Sequence, residues 1–240
     1  PHFPETCPDC GATLVRDEQE AKAFCPNQSG CPTQIKGKLV HFLSRKAMNV
    51  IAGDATIEQL YNKGLVWNPA DFYELEKEHL LGLDGWKDRA AERFLKSLEE
   101  SKKTPFEKVL FALGIRHVGE TTAKSMARHF KNIDAMATAS REDLLAVDDI
   151  GEVIADSVLA YFADGVNTDT IDRLKAAGLR FEVEKEAEAL SEALKGKTIV
   201  ISGNFSISRD EMKAMIAAHG GKNSGSVSGK TAFLLAGEKA

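Results

Sequence analysis

VLFALGIRHVGETTAKSMARHF occupies residues 109–130. Two apolar segments flank a short piece that holds Gly114 and Gly119. With Gly119 as origin, apolar residues follow at +4, +7, +8 and +11: Ala123, Met126, Ala127 and Phe130. That spacing is one face of a helix. The same offsets from Gly151 give Ala155, Val158, Leu159 and Phe162. From Lys87 they give Ala91, Phe94, Leu95 and Leu98. From Gly53 they give Ile57, Leu60 and Tyr61, then Gly64, which reads as the residue that ends the helix. The residue before each origin is apolar: Ala52, Trp86, Val118 and Ile150. The origins lie 34, 32 and 32 residues apart.

A period near 33 with paired helices suits tetratricopeptide or ankyrin solenoids, but their W-x2-L-G-x2-Y and T-P-L-H residues are missing. What repeats is a tight bend directly before a helix.

Upstream, the four cysteines are Cys7, Cys10, Cys25 and Cys31. CPDCG is a C-x-x-C turn followed by glycine, and CPNQSGC is a wider second pair. Four thiolates suit a tetrahedral Zn²⁺ and leave no open position for a substrate, so the expected site is structural. Disulfide bonding is the alternative. No secretory leader is in view, and thiols in a reducing compartment stay free. Residues 1–33 are too few to build a core, so metal binding should supply their folding energy.

ALGIRHVGETTAKSMA and LLAVDDIGEVIADSVL resemble helix–hairpin–helix motifs, whose pattern is roughly h-x-G-h-G-x-x-x-A. Together with the four-cysteine segment before them, they make the chain similar to the C-terminal half of bacterial NAD-dependent DNA ligases. The resemblance covers essentially all of it. It implies a mainly α chain: a small four-cysteine zinc module (1–33), four hairpin motifs (34–181), an acidic linker (182–194) and a partial α/β BRCT domain (195–240).

The physics of the bend suits that family's role. A glycine there tolerates positive φ and lets the backbone approach a ligand closely. The helix that follows offers unpaired N–H groups and a positive dipole end. Together they hold a phosphate and read no base. The resemblance therefore implies a grip on nicked double-stranded DNA through Gly53, Gly85, Lys87, Arg116, His117, Gly119, Thr121, Thr122, Lys124 and Gly151. The pattern's first glycine occurs only as Gly85; Ile51, His117 and Asp149 stand there in the other motifs. Lys87 replaces the second glycine. NVIAGDATIEQL (49–60) is the most degenerate motif, and Asp148, Asp149 and Glu152 should weaken a phosphate contact at the fourth.

The adenylation reaction of this family needs a K-x-D-G motif. The nearest match, GLDG (82–85), has Gly82 in place of the lysine. No catalytic residue is expected here. NAD⁺ and Mg²⁺ should bind the parent's adenylation and OB-fold modules before Pro1, and Zn²⁺ should be structural.

Net charge is −5, with 43% hydrophobic and 28% charged residues, ordinary for a globular protein. Base nevertheless gathers in IKGKLVHFLSRK (35–46) and from Lys102 to Lys131, and acid in FEVEKEAEALSEAL (181–194), expected to be a solvated helix or semi-rigid linker. No apolar run is long enough to span a bilayer. The resemblance implies a bacterial cytoplasmic location.

In the tail, TIVISG reads as a short buried strand and TAFLLAG as another, with NSGSVSG a short one between. Ser208 and Glu211 form an S-x-x-E capping box, and Met212, Met215 and Ile216 share a helix face that Gly220-Gly221 stop. In phosphate-binding relatives of this module a Ser-Gly pair ends the first strand. Ser202 and Gly203 match it, but turn geometry explains Gly203 better. Rival readings are a helical scaffold for protein partners and a hairpin-bearing part of a repair nuclease.

Overall fold

The computed structural model describes residues 4–16, 23–184 and 191–238. They form two compact units, Pro1–Val183 and Glu184–Ala240.

The first unit begins with a small hairpin, β1 (Val15–Arg16) against antiparallel β2 (Ala23–Phe24). Helices follow in pairs: α1 (Pro32–Leu43) and α2 (Asp54–Asn62), α3 (Lys77–Leu81) and α4 (Asp88–Ser101), α5 (Phe106–Ala112) and α6 (Glu120–Phe130), α8 (Arg141–Leu145) and α9 (Glu152–Ala163). Each pair packs together. A 3₁₀ helix (Pro69–Glu74), α7 (Ile133–Ala137) and α10 (Gly165–Ala176) fill between them.

One core runs through all the pairs. Ile35, Leu39, Phe42 and Leu43 of α1 enter it at the three-to-four spacing of an amphipathic helix. The offset pattern read from the sequence is the core-facing side: Ile57, Leu60, Ala91, Phe94, Leu98, Ala123, Met126, Ala127, Ala155 and Val158 are buried, and Tyr61, Leu95, Phe130, Leu159 and Phe162 pack half-buried against them. Arg173 of α10 reaches Asp71 and Glu74 of the 3₁₀ helix and fixes that corner.

The four origins are the N-caps of α2, α4, α6 and α9. α2 ends two residues before Gly64, whose φ is +69°.

The second unit is a parallel sheet in the order β4 (Lys222–Ser224), β3 (Thr198–Ser202), β5 (Thr231–Ala236), with α11 (Arg209–Ala218) between β3 and β4 in sequence. The Ser208–Glu211 capping box is formed, and Gly220 (φ +80°) follows the helix. Met212 and Ile216 are buried, but Met215 is 57% exposed, which corrects the shared face. It sits about 100° around the helix from Ile216, on the solvent flank. Phe233 and Leu234 of β5 are exposed as well. Residues 185–190 of the acidic joint lie outside the described residues.

Candidate metal centre and nucleic-acid interface

The four Sγ atoms of Cys7, Cys10, Cys25 and Cys31 lie within 4.8 Å of one another. Cys7 and Cys31 are 3.8 Å apart, Cys10 and Cys25 3.5 Å. A tetrahedron with Zn–S arms of about 2.3 Å has edges of about 3.8 Å. No pair is bonded, so the disulfide alternative falls. The knuckle closes through Cys7 N–H to Ala12 C=O and Gly11 N–H to Cys7 C=O, both 2.8 Å. The backbone N–H of Ala12 pulls the Cys10 thiol down to about 7, while desolvation pushes Cys25 up to about 12. A divalent cation among them displaces those protons and relieves the crowding. All-sulfur donors, tetrahedral spacing and burial of three of the four fit a structural zinc.

Cys31 has a second task. It is the N-cap residue of α1, and Ile35 N–H donates to its carbonyl at 2.9 Å. Thr33 Oγ1 donates to Asp9 across the knuckle. The metal site is thereby joined to a helix whose other end is in the main core.

The bends share one geometry. Trp86 N–H donates to Leu83 C=O, Val118 to Ile115 and Ile150 to Val147, at 3.2, 3.0 and 3.2 Å. In each turn the residue before the donor is left-handed: Gly85 (φ +79°), His117 (+64°) and Asp149 (+64°). The positive φ of the bend therefore does not fall on the glycine at the origin. Gly53, Gly119 and Gly151 are extended, with φ of −94°, −85° and −95°. The strain sits two residues earlier, at the pattern's first glycine position, where histidine and aspartate are tolerated better than most side chains.

Lys87 takes the same extended N-cap conformation, so its departure from glycine costs the backbone nothing. What glycine supplies at the other origins is bareness. A Cβ built on Gly53, Gly119 or Gly151 meets nothing within 4 Å. The first bend differs. Ala52 N–H donates to Val50 C=O, and the left-handed residue is Asn49 rather than Ile51.

None of these four helices has a side-chain cap. By contrast α7, α8, α10 and α11 are capped by Asn132, Ser140, Asp164 and Ser208. The hairpin helices therefore present their first N–H groups at exposed N-cap positions. Each begins with an acid: Asp54, Asp88, Glu120 or Glu152. Lys77 offsets Asp88 at 2.7 Å and holds its carboxyl below the usual range; Lys46 offsets Glu120 at 3.1 Å.

The third hairpin gathers the most base. Lys46, Lys108, Thr121 and Lys124 line one groove with Glu107, Phe111 and Glu120. Lys124 and His117 are exposed; Arg116 and Thr122 are half-buried. Lys46 and Lys108 belong to this groove, although the sequence placed them only in two separate basic stretches. Lys46 lies before the second helix of the first pair, and only the fold brings it to α6. At the fourth hairpin Asp148, Asp149 and Glu152 are exposed, with Arg141 3.8 Å from Glu152. Ser202 ends β3 and Gly203 follows it. A Cβ on Gly203 (φ +89°) would stand 2.9 Å from Gly237 and Glu238 backbone, so a close strand crossing accounts for it.

The described residues thus hold a four-thiolate centre, tandem uncapped hairpins and a small parallel α/β unit. Residues 6–32 match the model of the NAD-dependent DNA ligase C4 zinc finger domain, 108–171 the helix-hairpin-helix motif, and 190–240 the BRCA1 C Terminus (BRCT) domain. The chain is 58% identical over 238 residues to a DNA ligase of Parabacteroides distasonis, covering 98% of this chain and 36% of that protein. It is 51% identical to the DNA ligase of Phocaeicola vulgatus and 49% to that of Bacteroides fragilis, each match covering 97% of this chain and 35% of the relative. Over the segment it spans, the chain belongs to the NAD-dependent DNA ligase family. It spans about a third of the length of the curated relatives it matches. Among the described residues no helix is long and apolar enough to cross a membrane.

Proposed function

We propose that the chain is the duplex-gripping portion of an NAD-dependent DNA ligase, a bacterial cytoplasmic enzyme that joins a 3′-hydroxyl to a 5′-phosphate at a nick. The observation that carries this reading is the threefold recurrence of one turn, each followed by an uncapped, exposed helix start. Backbone N–H groups at such a start bind phosphate oxygens without reading a base. A nick sealer needs that indifference to sequence. Zinc on Cys7, Cys10, Cys25 and Cys31 folds residues 1–33, and residues 34–181 carry the four hairpins. Residues 182–194 link them to a BRCT module at 195–240. Arg116, His117, Gly119, Thr121, Thr122 and Lys124 make the strongest grip, with Gly53, Gly85, Lys87 and Gly151 at the other bends. Adenylation from NAD⁺ with Mg²⁺ falls to modules elsewhere in the parent.

Titration with nicked duplex over a salt series tests this. The expected log–log slope is about −0.9 per phosphate contacted, steeper than about −2 overall and the same for unrelated base sequences. A flat slope would assign the hairpins to protein contacts, the scaffold alternative.

The fourth hairpin gives a gain-of-affinity test. Asp149→Gly removes both a left-handed aspartate and a negative charge beside the bend. Duplex affinity should rise about threefold at low salt, with stability equal or slightly higher. Weaker binding in a folded variant would show that this acid does not oppose the phosphate.

A further inference from the structure

We propose that Phe24 of the zinc module is a positioning residue for Arg116 of the third hairpin, so that the metal centre presets a duplex contact. The inference rests on the duplex-gripping reading and adds a role for zinc beyond folding its own segment.

The Arg116 guanidinium carbon lies 3.5 Å from the centroid of the Phe24 ring. At that distance the cation lies against the face of the ring, within reach of its quadrupole. Phe24 is joined directly to Cys25, one of the four thiolates, so the metal fixes the backbone on which the ring is mounted. On the hairpin side, Arg116 Nε donates to His117 Nε2 at 2.9 Å. His117 is the left-handed residue of the bend, two positions before the open N-cap Gly119. The chain of contacts therefore runs from metal to Cys25, to Phe24, to Arg116, to the hairpin that gathers the most base. Gln28, Thr33, His41 and Gly114 line the same groove between module and hairpin. A planar guanidinium stacks where an ammonium would not. Holding a long arginine in place before the partner arrives removes part of its ordering cost at binding.

The test is a double-mutant cycle on the full chain with nicked duplex. Phe24→Ala should keep one zinc per chain and the main thermal transition, yet weaken binding about threefold. Phe24→Trp should restore the affinity; Phe24→Leu, which keeps bulk without a ring, should not. In an Arg116→Ala background, Phe24→Ala should change nothing further. Removing zinc with a chelator should reproduce the loss, and less of it once Arg116 is gone. A second readout needs no DNA: the Arg116 Nε–H resonance should show an upfield ring-current shift that vanishes in Phe24→Ala and in the zinc-free chain.

Additive penalties in the cycle, full rescue by Phe24→Leu, or an unshifted Arg116 resonance would overturn the coupling while leaving the duplex reading intact. Absence of salt-dependent binding by the unmodified chain would overturn the duplex reading, and with it the use of Arg116.

Discussion

A Cys7→Ser chain is expected to leave purification with little or no zinc. Four thiolates share a binding free energy of about 10–16 kcal/mol in structural sites, so losing one should weaken zinc affinity by about two orders of magnitude or more. The small cysteine cluster is separate from the main core, and the consequence should be local. Residues 4–16 and 23–31 should lose hydrogen-exchange protection, and the first turn of α1 should fray with them because Cys31 is its N-cap. The second half of α1 should hold, since Leu39, Phe42 and Leu43 are buried in the helical core. Metal analysis and hydrogen exchange measure both parts. One zinc per purified chain would defeat the four-thiolate assignment. Global unfolding would show that the core depends on the metal too.

The second large effect is expected at Gly119. Gly119→Asp places a carboxylate where the proposed phosphate sits. Aspartate is at least as good an N-cap as glycine, and a Cβ there meets nothing within 4 Å. Folding should therefore be unchanged or improved by a few tenths of a kcal/mol. Duplex affinity should fall by about tenfold or more at low salt, since a bare donor site becomes an occupied and like-charged one. Gly119→Val should show the steric share alone, a smaller loss. A melting curve and a binding titration on the same sample separate the two quantities. Unchanged affinity for Gly119→Asp would remove the third hairpin from the interface.

The helix faces and the four cysteines were legible because both are local patterns. A 3.6-residue period and a fixed origin locate Ile57, Phe94, Met126 and Val158 in the core without any tertiary knowledge. The left-handed site was legible only at Gly85. His117 and Asp149 do not advertise positive φ, and a glycine-bearing bend does not by itself say which of its residues carries it. Met215 failed for another reason. A helix face is a range of angles, and which edge of it is covered depends on the sheet beneath. The groove holding Lys46, Lys108 and Lys124, and the Phe24–Arg116 stack, join residues distant in sequence. No spacing rule reaches that far.

The position four residues after each origin has a further consequence. Ala91, Ala123 and Ala155 are completely buried there, at the start of helices that pack on the short helix before them. One methyl group thus sets how closely the two arms of each hairpin approach, and hence the angle at which the bend is presented. Enlarging it overfills a closed space at a typical cost of about 1–3 kcal/mol. These three sites leave little room for sequence drift. The first hairpin carries Ile57 instead, with a different turn, so the alanine gauge of the other three does not apply to it. A designer wishing to re-space the grip along a duplex would begin with that one branched side chain.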